Sequence, residues 1–237
     1  MCFPHAGGAA SSYAPLSREL ANDVDVLGVQ YPGRQDRRRE TPLAGIGQLA
    51  DALAAEVRRE LRGTYAFFGH SMGAVLAYET ARRLRESGST APVRLFLSAR
   101  GAPTPEPGRH DRLSTDADVL AAVRRLGGTT PAVLDDPELR EMVMPALRAD
   151  YRALGSYTWR GGQPLDIPFS VLVGDSDPVV TVAQAFAWRE HTTAATTVTV
   201  FHGGHFYLDG HLPAVAKTVT DALADASPSP APSLLAP

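Results

Sequence analysis

Thr64-Tyr65-Ala66-Phe67-Phe68-Gly69-His70-Ser71-Met72-Gly73-Ala74 is the stretch that decides the fold. A largely apolar run of β type leads into Gly-His-Ser-Met-Gly. A helical pattern then runs from Ala74 to Glu86, with Leu76, Thr80 and Leu84 on one stripe and Ala77 and Ala81 beside it. Strand, serine on a sharp turn and helix, in that order, read as a nucleophile elbow. Such a turn lifts the serine hydroxyl clear of the backbone. Glycines two residues to either side let neighbouring segments approach without Cβ clashes. Ser71 is therefore the candidate nucleophile. The pentapeptide alone arises by chance in many chains, so the flanking strand and helix carry the reading.

A serine on an elbow needs a later acid and base, in the chain order Ser, Asp or Glu, His. Working outward, Ile167 to Val173 is an apolar run of buried-strand type that ends in Gly174-Asp175-Ser176-Asp177-Pro178. A second run, Thr196 to Phe201, ends in His202-Gly203-Gly204-His205-Phe206. Asp177 is favoured as the acid because it lies a few residues past the strand end, just before a helix can start. Asp175 is then expected to bond backbone N–H groups within the turn. His205 follows a flexible Gly-Gly pair and is favoured as the base, with His202 as a strand-end residue. A metal reading of the two histidines lacks a third ligand at useful spacing and a cysteine cluster. No metal or other cofactor is expected. Acyl transfer also needs oxyanion donors. The backbone N–H of Met72 supplies one, and Phe3-Pro4-His5-Ala6-Gly7-Gly8 offers the second, with Ala6 the candidate and His5 or Gly7 the alternatives.

Taken together, Cys2 to Gly8, Val29-Gln30-Tyr31-Pro32-Gly33-Arg34, Gly69 to Ala74, Leu126-Gly127-Gly128-Thr129, Gly174 to Pro178 and Phe201 to Phe206 resemble type II thioesterases. These are free-standing editing hydrolases of polyketide and nonribosomal peptide assembly lines. The likeness runs in order from residue 2 to about residue 225. It implies an α/β-hydrolase fold and thioester hydrolysis, with catalytic roles on Ser71, Asp177 and His205 and oxyanion donors on Ala6 and Met72. It also implies acyl or peptidyl carrier proteins as partners. Members usually carry a further segment before the Phe-Pro-His loop, so either the true start lies upstream of Met1 or the sheet is smaller. Related readings are a medium-chain or product-releasing thioesterase, a carboxylesterase or acyltransferase with the same triad, and a noncatalytic carrier-binding protein.

The rest of the chain fits that frame. With 237 residues, 44% of them hydrophobic and 21% charged, it can bury a sizeable core as one catalytic domain over residues 1–225. A net charge of −3 argues against nonspecific nucleic-acid binding. No apolar stretch approaches the roughly 20 residues that span a bilayer. The start lacks a signal-peptide pattern and Cys2 is the single cysteine, so a cytoplasmic location is expected; a monomer is expected as well. Strand-like runs near 2–4, 25–31, 64–68, 93–98, 167–173 and 196–201 alternate with helical patterns, clearest over Ile46 to Leu61, which indicates a parallel sheet covered by helices. Residues 226–237 form a Pro/Ser-rich tail expected to be disordered.

Between the strands at 93–98 and 167–173 the alternation breaks. Helices over Asp116 to Leu126 and Pro137 to Leu154 predict a lid spanning about 109–160, over the carboxyl ends of the strands where open α/β sheets bind ligands. Lid residues Leu120, Val123, Leu126, Met142, Val143, Met144, Leu147 and Tyr151 are candidates for an acyl pocket. The Met142, Met144 and Leu147 group is singled out for its flexible methionines, and His5 is a further candidate for substrate binding. Arg34 to Glu40 is the most basic run and a candidate for guiding an acidic carrier and its phosphate-bearing arm, with Arg34 alternatively structural.

Overall fold

In the computed structural model, which describes residues 1–129 and 131–225, five strands form one parallel sheet in sequence order: β1 (Cys2–Phe3), β2 (Phe67–His70), β3 (Leu95–Ser98), β4 (Phe169–Gly174) and β5 (Thr196–Phe201). Parallel strands need crossovers, and helices supply them on both faces. The strand sequences read as continuous apolar runs because both faces are covered. Phe67, Leu95, Leu97, Phe169, Val171 and Val173 point into one core layer with α2 (Ile46–Glu60) and α3 (Met72–Glu86). Phe68, Phe96 and Leu172 point into the other, beneath α1 (Ala14–Leu20) and α8 (Leu212–Ala224). The edge strand β5 shows what one uncovered flank does: Thr and Val dominate it and Val200 is exposed.

The expected strand over 25–31 is not formed. That run meets the sheet through one isolated bridge, Cys2 to Gly28, closed by Cys2 N–H to the Leu27 carbonyl and Val29 N–H to the Cys2 carbonyl. Its neighbour β1 is two residues long, so there is no further ladder to pair with.

The lid comprises α4 (Asp116–Leu126), α5 (Pro131–Asp135) and α6 (Pro137–Ser156). Helix α4 starts on a Thr115/Asp118 capping box and ends at Gly127 in the left-handed region. Helix α5 lies where the sequence suggested only a connection. A short α7 (Val182–Phe186) follows the β4 turn. The proline-rich tail, residues 226–237, lies outside the described residues. Among the described residues, no helix is long and apolar enough to cross a membrane.

Candidate active site

Ser71 joins β2 to α3 with φ 57° and ψ −115°, a positive φ that costs a non-glycine residue about 1–3 kcal/mol. Its N–H donates to the Ser98 carbonyl (2.8 Å), and its own carbonyl accepts from Ala74 N–H (3.0 Å), which pins the turn on both sides. The flanking glycines are dictated by space. A Cβ on Gly69 would overlap the Gly73 carbonyl, and one on Gly73 would overlap the Phe3 carbonyl. We therefore expect Gly73→Ala to destabilise the fold by about 3 kcal/mol, since rigid backbone must move to relieve the overlap. Urea denaturation checks this, and an unchanged midpoint would show that the contact yields.

The structure brings the three candidate residues together from three loops. Ser71 Oγ lies 3.0 Å from His205 Nε2, and His205 Nδ1 lies 2.8 Å from Asp177 Oδ2. All three are buried. The second Asp177 oxygen accepts from Val179 N–H (2.8 Å), which orients the carboxylate. The acid and base loops can meet because Gly174, ending β4, lies against the carbonyls of Gly203 and Gly204 with no room for a Cβ. Asp175 turns away from the serine. It accepts from Gly203 N–H, His202 and Ser176, bonds that pull its carboxyl down to about 2. His202 is exposed on that outer pair, so the two histidines of the loop have separate partners.

The loop over residues 3–9 is held by hydrogen bonds along much of its length. Tyr13 donates to the Phe3 carbonyl (2.7 Å) and Tyr31 to the Pro4 carbonyl (3.2 Å). Gly8 N–H donates to the His5 carbonyl, and Ala9 N–H to Ser12 Oγ. Gly7 N–H donates to Asp150 Oδ2 (2.7 Å), so it is occupied. Ala6 N–H has no acceptor among the described residues. Met72 N–H opens α3 and has no intrahelical acceptor. Both oxyanion candidates are thus free backbone donors next to Ser71 in the chain or in the cavity beside it.

Asp150 is the site residue that sequence reasoning missed. It is fully buried on α6 and forms a bidentate ion pair with Arg34, at 2.8 and 2.9 Å. Arg34 also donates to the Gly8 carbonyl (3.0 Å) and lies over the Tyr31 ring. Lid helix, basic run and loop are therefore one hydrogen-bonded unit. The available signal was an aspartate between Ala149 and Tyr151, on the buried stripe of an amphipathic helix, where an unpaired charge would not be tolerated. The basic run divides accordingly. Arg34 turns inward, Arg37 bonds Glu40 and the Gln30 carbonyl, and Arg38 and Arg39 stay on the surface.

Beside Ser71 and His205 lies a narrow cavity of about 20 Å³, lined by His5, Ala6, Val123, Leu126, Tyr151 and Phe206 among others. Of the residues singled out for the substrate, His5 lines this cavity. The other three singled-out candidates do not line it: Met142 is exposed, while Met144 and Leu147 are buried, Leu147 against Gly7. Helical spacing placed them on the lid, but the lid's approach to the body gives the cavity wall to Val123, Leu126 and Tyr151. A hollow of about 490 Å³ lies elsewhere, lined by Met1, Leu16, Tyr65 and Val219, and contains none of the candidate residues.

Two more imidazoles crowd His205. His70 Nδ1 pairs with Ser98 Oγ (2.9 Å), which pairs in turn with Tyr207 OH (2.7 Å). Burial lowers His70 well below the usual histidine range, and nearby His205 and His5 push the same way. Burial likewise lowers His5 to about 4, with His205 and Arg34 adding to it. A folded-state value below the ordinary 6.5 means that the unfolded chain binds the proton first. Stability from these groups is complete above about pH 6.5 and is lost as pH falls towards 4. Each contributes a slope of up to about 1.4 kcal/mol per pH unit in that window. Urea midpoints between pH 7.5 and 4.5 should fall accordingly, and His5→Gln should flatten the fall; an equal slope in the variant would discount His5.

A family model described as a thioesterase domain matches residues 1–223. The chain is 43% identical over 223 residues to a probable cadicidin biosynthesis thioesterase of Streptomyces griseus, covering 94% of this chain and 62% of that protein's length. It is 41% identical to thioesterase PikA5 of Streptomyces venezuelae, covering 94% of this chain and 80% of that protein. Its fold superposes on the structure of the type II thioesterase BorB from the borrelidin biosynthetic cluster with a TM-score of 0.85, at 46% identity over 94% of this chain and 91% of that one.

Proposed function

This chain belongs to the thioesterase family, and we propose that it hydrolyses acyl thioesters held on the phosphopantetheine arms of acyl or peptidyl carrier proteins. The reaction would clear misprimed or stalled groups from polyketide and nonribosomal peptide synthases. One observation carries the reading: Ser71 Oγ, His205 and Asp177 form a continuous hydrogen-bonded chain at 3.0 and 2.8 Å, beside two free backbone N–H groups. In this mechanism His205 Nε2 takes the Ser71 proton as Oγ attacks the thioester carbonyl. The oxyanion accepts from Met72 and Ala6 N–H. Collapse expels the arm's thiolate, which receives the proton from His205, and leaves an acyl-enzyme. Water, deprotonated by His205, attacks the acyl-enzyme, and the free acid departs from regenerated Ser71. Asp177 holds Nδ1–H and thereby the tautomer that leaves Nε2 able to accept.

The closed cavity is narrow, about 20 Å³, so seating an acyl group beside Ser71 requires the lid to shift. The test is acid release from acetyl-loaded and longer acyl-loaded carrier protein, with free acyl-pantetheine thioesters and oxygen esters in parallel. Fast turnover of short acyl carriers supports editing. Preference for medium chains points to a fatty acyl thioesterase, and cleavage of oxygen esters alone would replace the reading with an esterase.

A further inference from the structure

We propose that Arg109 and Arg125, gathered around the His110 ring near the candidate active site, form a binding site for the phosphate of the pantetheine arm. The proposal rests on the thioesterase reading and extends it to the far end of the substrate. Arg109 Nε donates to His110 Nε2 (3.2 Å), and Arg125 Nη2 lies 3.4 Å from His110 Nδ1. A neutral imidazole has one acceptor nitrogen, so it cannot accept from both guanidinium groups. Two cations therefore share a ring that satisfies only one of them.

Neighbouring carboxylates do not resolve this, because each is bound elsewhere. Asp111 holds Arg100 through both oxygens (2.8 and 2.6 Å), Glu106 pairs with Arg112, Asp116 with Arg148 and Asp135 with Arg124. Among the described residues, no ion pair is formed by Arg109 or Arg125. Two exposed guanidinium groups held on one ring without an ion pair of their own leave donors open to an anion, and their forked geometry suits the oxygens of a phosphate.

Position selects the anion. Arg125 directly precedes Leu126, which lines the cavity beside Ser71. His110 lines a cleft of about 180 Å³ with Val75, Val179 and Val180. Val75 is four residues past Ser71 on α3, and Val179 N–H donates to Asp177. Burial lowers the His110 imidazole first, Arg109 and Arg125 add to the depression, and Asp111 and Asp177 oppose it. A thioester at Ser71 leaves the arm's phosphate outside the narrow cavity, and Arg125 lies near Tyr151, which lines that cavity.

The experiment compares an acyl-pantetheine thioester with the same acyl-4′-phosphopantetheine thioester, for the parent chain and for Arg109→Gln, Arg125→Gln and the double variant. The parent should prefer the phosphorylated thioester through KM. Removing each arginine should reduce that preference about tenfold or less, the scale of one exposed charge-assisted contact. In the double variant the ratio of the two kcat/KM values should collapse towards one, and Lys at both positions should restore part of it. Calorimetric titration with 4′-phosphopantetheine and with pantetheine gives a readout apart from turnover: only the former should lose affinity in the double variant. Arms on a carrier distinguish the diester from the free monoester. A preference retained in the double variant, or equal loss on both thioesters, overturns the site. Failure of the parent chain to turn over either thioester overturns the thioesterase reading, and the site with it.

Discussion

Thioester hydrolysis should fall by about 10⁴-fold or more when Ser71 is replaced by alanine, while the fold should be retained. The Ser71 hydroxyl has one partner, His205 Nε2, so its removal leaves the packing of β2, α3 and the loop at 3–9 untouched. Alanine inherits the same positive φ, so strain is not added. What is lost is the atom that would form the acyl-enzyme. Residual turnover would come from the free N–H groups of Ala6 and Met72 polarising a carbonyl for attack by water. Steady-state hydrolysis of a pantetheine thioester, a fluorophosphonate probe and a thermal melt check the three parts. Retained labelling or activity in Ser71→Ala would place the nucleophile elsewhere, and a parent chain inert to the probe would favour a noncatalytic role.

The second large effect concerns stability. Asp150→Ala should cost about 3–5 kcal/mol, because it leaves the Arg34 guanidinium buried without its counter-charge and frees Gly7 N–H. Arg34 is already short of one partner, at Nε, so the loss has no local remedy. Replacing both residues, as in Arg34→Met with Asp150→Leu, removes the buried charges together and should recover most of that stability. Turnover should stay low in the double variant, since Gly7 and Gly8 are no longer held and Ala6 N–H is no longer fixed. Urea denaturation and kcat on a pantetheine thioester separate the two consequences. Full activity in a stable double variant would show that the ion pair supports the fold alone and does not position the loop.

Much of the candidate site was legible because its signals are local. The elbow needs only a strand, a glycine-flanked serine and a helix in succession, and Asp177 and His205 sit at strand ends that apolar runs announce. The covering helices were legible for the same reason: α4 begins and ends at Asp116 and Leu126, where capping residues and a glycine mark it. The run at 25–31 looked like a strand because its composition is β-type, yet a strand also requires a neighbour of matching length, and β1 offers two residues. Pocket lining failed for Met142, Met144 and Leu147 because periodicity reports which side of a helix is apolar without saying what that side meets.

By itself, then, the sequence determined the five strands of the sheet and its main covering helices, the serine on its turn, and the two short loops from which an acid and a base could come. Tertiary structure alone decided that Asp177 faces His205 while Asp175 faces His202, that Gly7 N–H is occupied and Ala6 N–H is free, and that Arg34 and Asp150 meet across 116 residues of chain. The physical reason is range. Backbone propensity and apolar spacing act over a turn or a strand, whereas a hydrogen bond between distant segments depends on how whole helices and loops pack, to a fraction of an ångström, against the sheet.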